Sequence, residues 1–344
     1  MAEPLLPRVT WRAIASRLGL VLASVFVTLG GVELGFRIFA SDALPPWYGF
    51  GVYPDNPRGT FEPCPDGGPG YCVPTSPDTT SCMAPPAADG IAAVLVLGDS
   101  FAAAVGVRAV DTFARQLALP PGYQVHNCAS PGFGLDQVRD AFTHHATRLV
   151  PEAIVYAMVL NDLPMPDATL VRVVDERGQV GVVNDFVHIR SRLLAAHASD
   201  GPLRSLLGHS RAFTWFARRW HAAQVARATE SAYRHAYRPG PLRDAAFDSI
   251  TAMAHRSRRF LVVLWPLFER LEAYPFEDLH AVIRAELAAR GVAVLDLLDV
   301  FRGRDTASLV VHAFDHHPNE VAHRLAADAL APRLRELLER PRPD

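Results

Sequence analysis

The sequence predicts an α/β domain built on a parallel sheet. From Ile91 onward, short apolar segments alternate with segments of helical pattern, and this alternation is typical of parallel strands joined by crossover helices. The first strand, IAAVLVLG, is almost wholly apolar and ends in glycine, as expected of a strand with both faces buried. Because parallel strands bring their carboxyl ends to one edge of the sheet, we expect a functional site at that edge.

The predicted elements follow in chain order. Those before the middle of the chain are a strand over 91–98, a helix over 111–119, a strand over 123–129, a helix over 135–148, a strand over 153–160 and a hairpin over 169–184 around Glu176-Arg177-Gly178. Those after it are a mostly helical, Arg-rich insertion over 186–236, a strand over 260–265, a helix over 276–290, a strand over 292–298 and a closing helix over 320–338.

An apolar segment near the N-terminus predicts a membrane anchor. Leu18–Val32 has no charged residue, and Arg8, Arg12 and Arg17 precede it. Extended to Ala40, the segment reaches the roughly 20 residues that a spanning helix needs. A cleaved signal peptide and a buried helix remain alternatives, but no small-x-small cleavage pattern follows. The Arg flank predicts a cytoplasmic N-terminus, an inner-membrane span and an extracytoplasmic remainder.

Composition and cysteine positions divide the rest of the chain. A net charge of −2 over 344 residues argues against a dedicated nucleic-acid binder. Residues 41–90 are rich in Pro and Gly and predict an irregular linker lobe, so the expected domains are 1–40, 41–90 and 91–344. Outside the cytoplasm, two disulfides in any of three connectivities are expected, and free thiols are the alternative in a reducing cell. The four cysteines are Cys64, Cys72, Cys82 and Cys128.

Polar residues follow the predicted strands where each strand ends. Ser100 comes directly after Gly98-Asp99 and is suited to nucleophilic attack, although a serine at this place also serves as a helix N-cap. Gly132 follows the second strand, and its N–H is a candidate oxyanion donor in what is otherwise a Pro-Gly turn. Asn161 follows the third strand as a side-chain donor, or as a loop amide. Ala102 stands where a G-x-S-x-G elbow has its second glycine, which argues against an ordinary α/β-hydrolase.

A histidine base is expected near the C-terminus. His317 is favoured because Asp315 lies two residues earlier, and side chains at i and i+2 share a face in extended chain. His316 is the rival base. A metal cluster is a further alternative, since His312 and His323 are also close in sequence, but their spacing matches no zinc signature.

Together these segments resemble the SGNH/GDSL hydrolase family over residues 91–340. The resemblance lies in VLVLGDSFAAAVGV, NCASPGFGLDQ, VLND and DHHPNEVAHRLAADAL. The sequence departs from the family pattern in three places. Val159 replaces the Gly of G-x-N-D, the Asp–His spacing is D-x-H, and Ala322 stands where H-P-N-x-x-G has Gly.

The resemblance implies a flavodoxin-like, three-layer α/β/α fold and a serine esterase. Ser100 is then the nucleophile, His317 the base and Asp315 its orienting carboxylate, and the oxyanion is bound by Ser100 N–H, Gly132 N–H and Asn161. No metal or organic cofactor is implied. The expected partners are an ester or acylated carbohydrate, which the anchored layout associates with the cell envelope, and the lipid bilayer, with no nucleic acid.

Two alternatives keep the same scaffold. An O-acetyltransferase would pass the acyl group to a sugar hydroxyl, and a non-catalytic envelope protein would not use the triad. The insertion 186–236, which holds Trp215, Phe216 and Trp220, is interpreted as a solvated helix pair, with a substrate lid or a membrane-surface segment as alternatives.

Overall fold

The computed structural model describes residues 11–39, 62–63, 71–72, 82, 90–163, 171–174, 180–183, 210, 212, 227, 230–312 and 315–340. Of these, residues 12–14, 62–63, 71–72, 171–174, 180–183, 312 and 315 are described by their backbone only. Cys64 and most of the insertion 186–236 lie outside these residues. The chain forms two compact units. One consists of residues 1–44 and 171–229, and the other of residues 45–170 and 230–344.

The strands and helices are numbered in chain order. The strands are β1 (Glu62–Pro63), β2 (Tyr71–Cys72), β3 (Ala92–Gly98), β4 (Tyr123–Asn127), β5 (Ala153–Met158), β6 (Val171–Val174), β7 (Val180–Val183), β8 (Phe260–Leu264), β9 (Ala293–Asp296), β10 (Val310–His312) and β11 (Asp315–Pro318). The α-helices are α1 (Trp11–Phe39), α2 (Phe113–Gln116), α3 (Leu135–Leu149), α4 (Pro241–His255), α5 (Glu277–Ala289), α6 (Leu298–Phe301) and α7 (Glu320–Glu339).

A five-stranded parallel sheet forms the centre of the larger unit. Its strand order is β4-β3-β5-β8-β9, and each neighbouring pair is parallel. Numbered within the sheet, this is the order 2-1-3-4-5 of flavodoxin-like folds. The predicted fold class is therefore confirmed.

Alternate side chains of the central strands pack on opposite faces of this sheet. Val94 and Val96 lie in one apolar cluster with residues of α2, α6 and α7. Leu95 and Leu97 lie in a second cluster with residues of α3, α4 and α5. Each fully buried side chain of this size contributes about 1.5–3 kcal/mol. The continuous apolar run read from the sequence thus reflects two buried faces, which makes the unit three-layered.

Two predicted elements differ from the structure. The helix expected over 111–119 is reduced to α2, because Leu117 has extended backbone and Pro120-Pro121 follows, which disfavours helical conformation before it. Asp315 and His317, expected on a loop, lie in β11, which pairs antiparallel with β10. Within the predicted irregular lobe, β1 and β2 form one short antiparallel pair.

A disulfide fixes one point of the linker lobe to the sheet. Cys82 is bonded to Cys128, the residue directly after β4. One of the three connectivities open from the sequence contains this pair. The Cys82 sulfur also lies 3.4 Å from Nδ1 of the buried His145 on α3. In the described residues these three side chains are the ones whose ligand atoms lie close enough together to hold a metal ion, but two of them are occupied by the disulfide.

The smaller unit contains α1 and the predicted hairpin. Ala15–Phe39 is long and apolar enough to cross a membrane. Near its end, the Glu33 carboxylate accepts hydrogen bonds from the Ser210 hydroxyl at 2.8 Å and the Ala212 N–H at 3.1 Å. The hairpin is confirmed, since β6 and β7 pair antiparallel.

Candidate active site

The loop after β3 presents Ser100 at the carboxyl edge of the sheet. Gly98 ends the strand with φ +153°, and a Cβ there would lie 2.6 Å from the Ala157 carbonyl oxygen of β5. Only glycine fits this close approach. The chain then turns, with the Ala103 N–H bonded to the Asp99 carbonyl at 2.9 Å. Turns rather than a helix follow the partly exposed Ser100, so the expectation that Ser100 lies at a helix start is wrong.

The Asp99 carboxylate is the centre of the site. It is 1% exposed. Its Oδ1 accepts the Phe101 N–H at 2.9 Å and its Oδ2 accepts the Asn161 amide at 3.1 Å. The Ser100 hydroxyl lies 3.5 Å from Oδ2, at the limit of a hydrogen bond. Burial raises the pKa of Asp99, while the Phe101 and Asn161 bonds and the positive charge of nearby His317 oppose that rise.

Hydrogen bonds to buried groups hold the loop after β5 in place. Asp162 is buried, and its Oδ2 accepts the Tyr156 hydroxyl at 2.7 Å and the Val159 N–H at 3.1 Å. The Tyr237 hydroxyl donates to the Leu160 carbonyl at 3.2 Å. Burial, with the nearby Asp99 charge as the second cause, raises the pKa of Asp162 well above its usual range. These bonds fix the turn that carries Asn161, although Val159 stands where the SGNH/GDSL pattern has glycine.

Gly132 occupies the corner of a tight turn after β4. The Phe133 N–H bonds to the Ser130 carbonyl at 3.2 Å, and Gly132 has φ +78°. Proline at the second position and a left-handed glycine at the third are the features of a type II turn. The turn starts beside the Gly98-Asp99-Ser100 loop, because the Ser130 N–H bonds to the Gly98 carbonyl at 3.2 Å. Gly132 therefore lies at the predicted edge, and its role as an oxyanion donor stays a prediction.

The two neighbouring histidines have different surroundings. The His317 ring packs against Phe101, with centroids 5.6 Å apart, and interacts with the Asp99 charge. His316 has 47% of its side chain exposed, and its Nδ1 lies 4.0 Å from a carboxylate oxygen of Glu269. The structure thus places His317 near Asp99 and Phe101, whereas His316 lies near Glu269. The side chain of Asp315 lies outside the described residues, so its orienting role stays a prediction.

Phe101, which packs against His317, belongs to a buried aromatic cluster. Phe101 makes an edge contact with Trp265 at 6.2 Å, and Trp265 lies 5.6 Å from the His323 ring. The His323 Nδ1 accepts the Phe113 N–H at 3.3 Å. Burial, and then the charge of His317, lowers the pKa of His323 to about 3. His323 is therefore neutral near pH 7 and acts as a fixed packing group.

Sequence reasoning missed three features of the site. Asp99 lies in the Gly98-Asp99-Ser100 motif, but its local sequence does not reveal that its carboxylate joins Ser100 to Asn161. The pairing of Tyr156 with Asp162 has no local signal, because a strand tyrosine does not indicate a buried carboxylate partner. Glu269 lies on the loop after β8, and the carboxyl-edge rule, applied to that strand, is the signal that finds this loop.

The comparisons add likenesses to solved structures. No family model matches the sequence, and no curated protein matches it. The structure of TesA is similar with a TM-score of 0.41 and 15% identity, covering 71% of this chain and 99% of that one. A member of the lipolytic protein G-D-S-L family from Veillonella parvula has a TM-score of 0.40 and 12% identity, covering 70% of this chain and 96% of that one. The structure of an acetyl xylan esterase has a TM-score of 0.36 and 14% identity, covering 70% of this chain and 99% of that one. With TM-scores below 0.5 and identities of 15% or less, these likenesses carry no argument about the function, which is argued from the site itself.

Proposed function

We propose that this chain is a serine esterase that hydrolyses acyl esters at the carboxyl edge of its parallel sheet. The observation that carries the proposal is the buried Asp99 carboxylate, which has a serine hydroxyl, a side-chain amide and an imidazole around it. A nucleophile, an oxyanion donor and a base are the three groups that acyl transfer needs.

The reaction follows from these groups. The Ser100 Oγ attacks the acyl carbonyl carbon while His317 accepts the hydroxyl proton, and the carbonyl electron pair moves to oxygen. The Asn161 amide and the N–H groups of Ser100 and Gly132 stabilise that oxyanion. The tetrahedral intermediate expels the alcohol, which takes the proton from His317. Water then releases the acid from the acyl-serine, with His317 again as base.

Asp99 has a supporting role in this scheme. Its carboxylate holds one N–H of the Asn161 amide, which leaves the second N–H for the oxyanion. The same negative charge attracts the imidazolium that forms on His317 during attack. Asp315 is assigned the further role of orienting His317.

The proposed location is the outer side of the inner membrane. α1 provides one span and three arginines precede its apolar part, which favours retention of the N-terminus in the cytoplasm. A disulfide between Cys82 and Cys128 is compatible with the oxidising conditions outside the cytoplasm. An acylated carbohydrate of the envelope is the proposed substrate class.

The test combines covalent labelling with hydrolysis of 4-nitrophenyl acetate. The unmodified protein should react with a fluorophosphonate probe, and Ser100→Ala should not. His317→Ala should lower kcat/KM by several orders of magnitude, and by far more than His316→Ala, because removal of a triad base has that cost elsewhere. The exposed His255→Ala serves as a matched control on α4.

Two results would contradict the proposal. Equal labelling of Ser100→Ala would place the nucleophile elsewhere. An inactive His316→Ala variant beside an active His317→Ala variant would assign the role of base to His316 instead of His317. Thermal unfolding of each variant separates lost chemistry from lost folding.

A further inference from the structure

We infer that Glu269, with the neighbouring His316, forms a subsite that binds sugar hydroxyl groups of the substrate next to the scissile ester. The inference rests on the proposed esterase function and names its substrate as an acylated carbohydrate. Glu269 lies on the loop after β8, between Leu264 and α5, and His316 lies in β11. No other part of the proposed reaction uses this loop.

One contact and one electrostatic interaction link Glu269 to the active site. Its carboxylate oxygen lies 4.0 Å from Nδ1 of His316, the residue before the proposed base. After burial, the charges of Glu269 and then Asp99 raise the pKa of the buried Tyr233. The Tyr233 phenol is therefore within electrostatic range of both carboxylates.

The loop holds Glu269 in a fixed position. The preceding Phe268 is fully buried against Phe101, with ring centroids 5.9 Å apart. The following Arg270 has φ +50°, a left-handed conformation that non-glycine residues rarely adopt and that persists where the surroundings impose it. The Glu269 N–H is bonded to the Leu267 carbonyl at 2.8 Å. The backbone that carries the Glu269 side chain is therefore fixed, which favours a preorganised binding site.

A buried relay anchors the base of the same loop. The Leu267 N–H donates to the Tyr274 hydroxyl at 3.0 Å. That hydroxyl lies 3.1 Å from Nε2 of His280, whose Nδ1 lies 2.8 Å from Asp296 at the end of β9. On its other side the Leu271 N–H donates to the Thr306 hydroxyl at 2.8 Å. The loop is therefore attached to the sheet and to the chain after α6.

The chemistry of the surface fits hydroxyl groups better than an acyl chain. Glu269 is 39% exposed and His316 47% exposed, so both are accessible to a ligand while partly fixed. Their oxygens and ring nitrogens supply acceptors and a donor, and sugar hydroxyls both donate and accept. In this fully described loop no large apolar side chain is exposed, whereas a long acyl chain needs an apolar wall.

The experiment compares two esters that differ in the sugar. Mono-O-acetylated xylobiose presents free hydroxyls, and 4-nitrophenyl acetate presents none. Glu269→Gln removes the charge but keeps the shape. It should lower kcat/KM on the disaccharide ester by about ten- to a hundredfold more than on 4-nitrophenyl acetate, mainly through KM, since bonds to charged acceptors are the strong ones. Glu269→Ala should show an equal or larger difference.

A matched control lies three residues along the same loop. Glu272 bonds to the Thr306 N–H and hydroxyl, so its carboxylate is used within the protein. Glu272→Gln should change both esters alike. A Glu269 variant that loses activity equally on the two esters, or loses none on the disaccharide ester, would overturn the subsite.

Binding without turnover separates this inference from the proposed function. In Ser100→Ala protein, the Kd for mono-O-acetylated xylobiose should rise about tenfold or more when Glu269→Gln is added. If the unmodified protein hydrolyses neither ester, the esterase proposal fails, and this measurement still decides the role of Glu269. An unchanged Kd contradicts the subsite even in an active esterase.

Discussion

At the scale of single residues, the Asp99 carboxylate lies among the proposed catalytic groups. Ser100 is its chain neighbour, the Asn161 amide comes from β5's loop, and His317 comes from β11. Removal of this carboxyl from water is unfavourable for its charge, and burial accordingly raises its pKa. The Phe101 N–H and the Asn161 amide offset part of that effect. The site thus keeps a buried anion in place by surrounding it with the groups that catalysis uses.

Replacement of this anion gives a prediction with a definite sign. In Asp99→Asn the attraction between the carboxylate and the imidazolium that forms on His317 during attack is lost, and Asn161 loses its charged acceptor. Both losses destabilise the transition state, so kcat should fall.

The kcat is measured on 4-nitrophenyl acetate beside Asp248→Asn. Asp248 lies on α4 with 73% of its side chain exposed, and its variant should keep the original kcat. An Asp99 variant with an unchanged kcat would show that this carboxylate does not support the proposed catalytic groups.

At the scale of elements, the strand ends were predictable and the supports behind them were not. The apolar runs and the carboxyl-edge rule were enough to predict that Ser100, Asn161 and His317 would meet. The pairing of β10 with β11 was not visible, because a short hairpin of histidines and charged residues lacks the alternating pattern of a half-buried strand. The Tyr274–His280 relay was also invisible, since its partners come from separate elements and have no shared local pattern.

The disulfide gives an element-scale prediction. Cys82 and Cys128 are separated by 46 residues, and closing a loop of that length stabilises the folded state by about 4 kcal/mol in the chain-entropy account. The double variant Cys82→Ala/Cys128→Ala should lose roughly 2–4 kcal/mol in the free energy of unfolding. Urea unfolding with and without dithiothreitol measures this loss.

The reductant supplies the internal comparison. Dithiothreitol should destabilise the unmodified protein much more than the double variant. Equal unfolding free energies for the oxidised protein and the double variant would show that the bond adds nothing to stability. Loss of esterase activity on reduction, without loss of folding, would show that the bond also positions the Gly132 turn.

At the scale of the whole molecule, the chain divides its tasks between two compact units. The unit of residues 45–170 and 230–344 contains the sheet and all the proposed catalytic residues. The other unit contains α1 and the β6–β7 hairpin, and Glu33 of α1 accepts hydrogen bonds from Ser210 and Ala212. A carboxylate near the end of an apolar helix is expensive in a membrane unless it is paired. Glu33 is paired, with Arg37 at 2.8 Å as well, which fits a position at the membrane boundary.

The last prediction concerns topology. Arg8, Arg12 and Arg17 precede the apolar part of α1, and basic residues are retained on the cytoplasmic side. A reporter that is active only in the periplasm, fused after Asp344, should therefore be active, whereas one that is active only in the cytoplasm should not. Replacement of the three arginines by glutamine should weaken the orientation bias while the apolar length stays constant. Activity from the cytoplasmic reporter alone would reverse the assignment. The mass of the membrane-bound protein distinguishes an anchor from a cleaved signal. An anchor leaves the chain at full length, whereas cleavage of a signal would remove residues of α1 and release the unit of residues 45–170 and 230–344 from the membrane.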